Sequence, residues 1–342
     1  MTRRGVAILA VSVAMSLGAI GYAMYRRSVT RPMPELTAGV VEVRKGWGVS
    51  EIAKAVFGVN QGAARWFRAH VILIGGARKL RAGEYALDRD TIETLTEKLM
   101  GGKVMLYRVT VSEGAWAEDI ATLISGAGLA GRARLTELIR DPEFARTVLG
   151  HDAPSLEGYL FPETYYFSKG MTEEDILRAF VERFKEKTSA LGASETLIRP
   201  IHEVITLASI VEREARAADE RPLIAAVFRN RERRRMPLES CVTVEYALGR
   251  KKRVLSDDDL RVDSPYNTYR RAGLPPGPVS NPGLASIRAA LAPADTDYLF
   301  FVARGDGRHF FSRKWPEHLR AKAQMKRNRA VLRGPARGPA KK

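Results

Sequence analysis

The sequence predicts an α+β chain with a single N-terminal transmembrane helix, a small α/β subdomain and a larger mixed α+β domain. Three observations carry this prediction. Residues 5–25 (GVAILAVSVAMSLGAIGYAMY) hold no charge and are long enough, as a helix, to cross the hydrocarbon core of a bilayer. A strand–turn–helix pattern occurs twice, at 41–56 and 109–124. A long amphipathic helix pattern occupies 201–215, deep in the second half. At 342 residues, 45% of them hydrophobic, the chain is large enough for two globular domains.

The apolar run is read as an uncleaved anchor, because a cleaved export signal has a shorter apolar core and small residues at its end. Arg3 and Arg4 precede it and Arg26 and Arg27 follow it, so flanking charge does not orient it. A tail of residues 1–4 before the span and a long globular remainder after it place the bulk of the chain outside the cytoplasm, in the periplasm beside a cell inner membrane. Cys241 is the only cysteine, which excludes an intrachain disulfide and a multi-cysteine zinc site. The net charge is +17, with 56 Lys and Arg against 39 Asp and Glu. Such a balance suits nucleic acid, anionic lipid or an anionic wall polymer, and the membrane span excludes nucleic acid as the partner. Part of the charge lies in the last residues, and 326–342 read as a solvated, disordered basic tail.

After the linker Arg31-Pro32-Met33-Pro34, VEVRKGWGVSEIAKAV (41–56) reads as strand, glycine turn and helix, and VTVSEGAWAEDIATLI (109–124) repeats it. Residues 80–87 (LRAGEYAL) supply a further strand. The pattern resembles half of a LysM module, a glycan-binding unit, so 35–150 form a LysM-like region that either binds glycan or acts as a spacer. The texture changes at Pro154. SLEGYLFPETYYF (155–167) gathers five aromatic residues around Glu157 and Glu163, a composition suited to sugars, whose C–H faces stack on rings while their hydroxyls take hydrogen bonds. The same segment also fits a buried packing strip.

In IHEVITLASIVEREA (201–215), Val204, Leu207, Ala208, Val211 and Ala215 form one apolar stripe. At about 100° per residue, Glu212 and Glu214 project roughly 200° apart, so they cannot serve one small site together. A carboxyl beside apolar groups stays protonated near neutral pH, as a glycosidic general acid must. Helical geometry alone does not choose between the two acids.

LASIVEREA followed by ERPLIAAVFRNRERRRMPLES (220–240), DSPYNTYRRAGLPPGPVSNPG (263–283), SIRAALAPADTDYLFFVA (286–303) and HFFS (309–312) resembles, in order, the core motifs of the YceG-like (MltG) family of endolytic murein transglycosylases. With EGYLFPETY the resemblance spans 157–312, and the anchor and LysM-like region fit the family layout. It implies a catalytic domain at 154–325, with Glu214 as the catalytic residue and Glu212 as a supporting acid. It also implies lytic cleavage of the MurNAc–GlcNAc β-1,4 bond to 1,6-anhydroMurNAc ends, nascent peptidoglycan strands as substrate, peptidoglycan synthases (penicillin-binding proteins) as partners, and no cofactor. Tyr266, Asn267, Thr268 and Tyr269 carry hydroxyl and amide groups suited to glycan hydroxyls and N-acetyl carbonyls. The proline- and glycine-rich loop 273–283, with Ser280 and Asn281, is expected to shape one cleft wall.

One departure stands at Leu238-Glu239-Ser240-Cys241-Val242. An acid is expected in this stretch of the family and Cys241 is found, with Glu239 and Ser240 left as candidate substrate contacts. Cys241 has no histidine beside it in sequence and is expected to be a small buried side chain. The five histidines show no metal-binding helical spacing, and no metal is expected. The competing function is a non-catalytic glycan-binding scaffold of the wall-synthesis machinery. Among enzymes, a hydrolysing muramidase is the alternative.

Overall fold

The computed structural model describes residues 3–33, 36, 39–189, 191, 200–252 and 254–333. The chain is mixed α+β and divides into two compact units, one of residues 1–108 and 166–171, the other of 109–165 and 172–342.

The first unit begins with α1 (Arg3–Thr30), whose segment Ile8–Thr30 is long and apolar enough to cross a membrane. Side chains from Ile8 to Met24 are all exposed; Tyr25 is half-buried and Val29 fully buried. Strand β1 (Gly39–Val43), helices α2 (Val49–Phe57) and α3 (Gln61–Leu73), strand β2 (Gly83–Leu87) and α4 (Ile92–Gly101) follow. β1 and β2 pair antiparallel with Val41 opposite Tyr85. Both of those side chains point into a core that includes Ile52, Phe67, Val71, Leu95 and Leu99.

The second unit starts within β3 (Tyr107–Thr110), paired with β4 (Thr164–Phe167). Between them lie α5 (Ala117–Gly126), α6 (Arg132–Arg140) and α7 (Pro142–Leu149). Then come α8 (Glu173–Ser189), the central α9 (Ile201–Glu214), a 3-10 turn at Ala218–Glu220 and α10 (Arg221–Arg233). The unit ends with α11 (Cys241–Ala247), α12 (Asp257–Leu260), α13 (Leu284–Leu291), the antiparallel pair β5 (Phe300–Ala303) and β6 (His309–Ser312), and α14 (Trp315–Arg333).

Both sequence repeats form strand, turn and helix. Gly46 and Gly114 turn at φ 89 and 74, a conformation that favours glycine, and Glu51 and Asp119 accept the N–H groups of Gly48 and Trp116 at the two helix starts. The copies belong to different units, however. The division falls at residue 108, earlier than the composition change at Pro154, because Val109, Ala117, Ile120 and Ile124 bury their side chains in the second unit's core. At the other end α14 runs to Arg333, past residue 326 where the basic tail was expected to begin; residues 334–342 of that expectation lie outside the described residues.

Candidate active site

α9 is the scaffold of the site. Besides the expected stripe of Val204, Leu207, Ala208 and Val211, it buries Ile205, Thr206, Ser209 and Ile210, since α10, α11 and α13 all pack on it. Its first three residues and its last turn leave the core. Glu214 is the final helical residue; at Ala215 the backbone turns extended, with ψ 124.

The two acids part as their angular separation requires. Glu212 Oε1 meets Arg221 Nη2 at 3.3 Å and Oε2 accepts the Gly283 N–H at 3.0 Å. Arg221 also donates to Ser286 Oγ at 3.0 Å. Glu212 thus ties α9 to the first turn of α13. The Glu113 carboxylate packs against Gly283, where a Cβ would displace it. Glu113 is held protonated to higher pH by burial and then by the charge of Glu212.

Glu214 is only partly enclosed, and its Oε1 accepts the Ser240 Oγ–H at 2.7 Å. Desolvation pushes its carboxyl above the ordinary range; the Ser240 hydrogen bond and the charge of His309 oppose this, Glu245 adds to it and Arg213 opposes it. The net direction is upward, as a general acid near neutral pH requires.

Ser240 is itself held from several sides. Its N–H donates to Thr268 Oγ1 at 3.1 Å, its carbonyl accepts from Thr243 Oγ1 at 2.8 Å, and the two threonine hydroxyls lie 2.8 Å apart. Glu239 sits at φ 52, a left-handed conformation that costs a non-glycine residue about 1–2 kcal/mol. Arg231 holds that turn: buried, it donates to the carbonyls of Leu299 (2.7 Å), Pro237 (3.0 Å) and Leu238 (3.1 Å) and pairs with Glu239 at 2.9 Å. On the other flank Arg213 pairs with Glu245 at 2.8 Å and, like Lys251, stacks on Trp116.

The Pro/Gly loop is anchored to α9, with the Val279 N–H donating to Ser209 Oγ and Ser280 Oγ–H to the Ser209 carbonyl. Asn281 is fully buried. Its Oδ1 accepts the N–H groups of Gly158 and Leu160, both at 2.9 Å, and its Nδ2 donates to the Ala115 carbonyl and to Glu157. Glu157 in turn accepts the Ala117 N–H at the start of α5 and borders a cavity of about 210 Å³ walled by Trp116, Ser155 and Tyr246. Burial pushes the Glu157 carboxyl up to about 8.

The expected substrate contacts therefore divide. Asn267, Thr268, Ser280 and Asn281 are buried and hydrogen-bonded within the protein, where they frame the site. Glu157 belongs with them except where it borders the cavity. Glu163 is engaged by Arg183 and Lys187 of α8, which does not join it to the Glu214 network. Ser240 touches Glu214, while Glu239 and the rings of Tyr266 and Tyr269 remain partly open. Cys241, expected to be buried, is exposed and lies 3.1 Å from the Tyr269 hydroxyl.

Sequence reasoning missed one pair. The backbone N–H of His309 donates to the buried Glu220, and its Nδ1 lies 2.8 Å from Glu220 Oε2. The signal was the HFFS motif itself, whose histidine was weighed only as a metal ligand.

Glu214 is thus a partly open carboxyl with a raised pKa at the end of an enclosed helix, hydrogen-bonded by a serine from a strained turn. The chain belongs to the YceG-like family, whose family model matches residues 41–324. It is 33% identical over 327 residues to the endolytic murein transglycosylase of Bacillus subtilis (strain 168), covering 88% of this chain and 89% of that protein. It is 35% identical over 278 residues to the endolytic murein transglycosylase of Streptococcus pneumoniae, covering 72% of this chain and half the length of that longer protein. A crystal structure of a yceG-like protein from Listeria monocytogenes matches with a TM-score of 0.55 and 31% identity, over 83% of this chain and 98% of that one.

Proposed function

We propose that the protein is an endolytic murein transglycosylase that cuts the MurNAc–GlcNAc β-1,4 bond of peptidoglycan and leaves 1,6-anhydroMurNAc ends. The observation that carries this reading is the state of Glu214, a carboxyl with a raised pKa whose Oε1 is taken by Ser240. The activity of the Bacillus subtilis relative supports it.

Glu214 holds its proton on Oε2 and donates it to the bridging oxygen as the C1–O bond breaks, releasing the GlcNAc hydroxyl. The resulting carboxylate takes the proton from the muramic C6 hydroxyl, whose oxygen closes on C1, and the acid form returns. A single carboxyl suffices because the nucleophile is the substrate's own hydroxyl, unlike glycosidases that set two carboxylates across the bond. Glu212, bound by Arg221 and Gly283, holds the helix end in place. Tyr266, Tyr269 and Glu239 are the glycan-facing groups, and Ser240, buried behind them, orients Glu214 rather than facing the strand.

α1 anchors the chain in the inner membrane with the rest in the periplasm, which confines the reach of Glu214 to glycan near the bilayer. Nascent strands are then the substrate and peptidoglycan synthases the neighbours. The first unit serves as a LysM-like glycan-binding region. The test is mass spectrometry of uncrosslinked strands treated with the full chain in detergent. Anhydro ends are expected. Ends heavier by one water would make the enzyme a muramidase, and bound but uncut strands would make it a scaffold.

A further inference from the structure

We propose that the turn after α3 inserts into the bilayer surface beside α1, seating the first unit on anionic phospholipid. Ile72, Leu73 and Ile74 are 67%, 69% and 43% exposed and consecutive, an unusual run of large apolar side chains to leave in water. Basic side chains follow them closely: Arg78, Lys79 and Arg81 are exposed, as is Lys103, and residues 72–83 hold no acid.

The packing of α1 says which way this patch faces. Met33 N–H donates to the Asp90 carbonyl just before α4, and Arg26 reaches Glu93 in its first turn, so α1 runs antiparallel to α4. α3 runs alongside α4 in the same sense as α4. His70 feels the charges of Glu93 and Glu97, and a Cβ on Gly76 would meet Met100 at the far end of α4. α1 leaves the unit above Tyr25, whose ring centroid lies 6.3 Å from that of Trp66 and whose hydroxyl lies 2.7 Å from His70 Nδ1. The exposed apolar stretch from Ile8 to Met24 therefore departs from the end of the unit where α3 and α4 finish, the end that carries Ile72, Leu73, Ile74 and Arg78. Aromatic rings at Tyr22, Tyr25 and Trp66 mark the level at which helix gives way to protein, as they do at membrane interfaces. Apolar side chains flanked by lysine and arginine fit the boundary between acyl chains and anionic headgroups.

This inference rests on α1 being a membrane anchor, and one experiment separates the two. Hydrogen exchange is measured on the full chain in nanodiscs containing phosphatidylglycerol and in nanodiscs of phosphatidylcholine alone. Amides of residues 72–81 are expected to exchange about tenfold more slowly in the anionic discs. The double variant Ile72→Ser, Leu73→Ser and the double variant Arg78→Glu, Lys79→Glu are expected to lose that protection while the β1–β2 amides keep theirs. Protection of α1 without protection of 72–81 in either lipid overturns the inference and leaves the anchor standing. Absence of protection in α1 removes the anchor and the inference with it.

Discussion

At the scale of single residues, the choice between Glu212 and Glu214 is made by their neighbours. Both lie in the last turn of one helix, and the sequence places them on opposite flanks without saying which flank faces a cleft. Glu212 is saturated by Arg221 and Gly283; Glu214 keeps an oxygen free of the Ser240 hydroxyl. Ser240 donates to Glu214 and thereby favours its ionised form. Ser240→Ala should therefore raise the Glu214 pKa and move the alkaline limb of the kcat pH profile to higher pH, with the acidic side unchanged; an unmoved limb would detach Ser240 from the acid. Tyr269 was legible as a candidate glycan contact, whereas Cys241 read as a buried side chain, and their pairing was not legible because it joins segments far apart in sequence. The Glu220–His309 pair was hidden for the same reason.

At the scale of elements, α9 and the first strand–turn–helix were legible because apolar periodicity reports burial directly. The turn carrying Ser240 was not, since its conformation is imposed by Arg231 from α10 rather than by its own residues. Arg231→Met should cost about 2–4 kcal/mol in chemical denaturation, from the carbonyl hydrogen bonds left unmade. It should also lower activity beyond the fraction unfolded, because the turn that presents Ser240 is released. Gly158, at φ 90 with Pro278 where a Cβ would stand, makes a second element-scale test. Gly158→Ala should destabilise by about 1–3 kcal/mol, read as a lower thermal midpoint. Glu157 predicts a pH dependence. Its folded-state pKa of about 8 lies above the ordinary 4.5, so between those values the folded chain holds a proton the unfolded chain lacks. The contribution is complete below about 4.5 and is lost as pH rises through about 8. Glu157→Gln should flatten that decline in a series of denaturation curves across the window.

At the scale of the whole molecule, composition showed the apolar helix and the mixed α+β character, while the division between units fell elsewhere than the change in texture. A strand–turn–helix motif has the same signature whichever core it joins, so the second copy could be recognised but not assigned. The central claim is that one carboxyl, on Glu214, performs both proton transfers of a lytic cleavage. The most direct measurement compares the full chain with its Glu214→Gln variant on uncrosslinked glycan strands, scoring anhydro ends by mass spectrometry alongside the thermal midpoint of each protein. The account predicts anhydro-ended fragments from the parent, a rate lower by on the order of a thousandfold from the variant, and the same midpoint for both. Equal cleavage by a variant that is folded would contradict it.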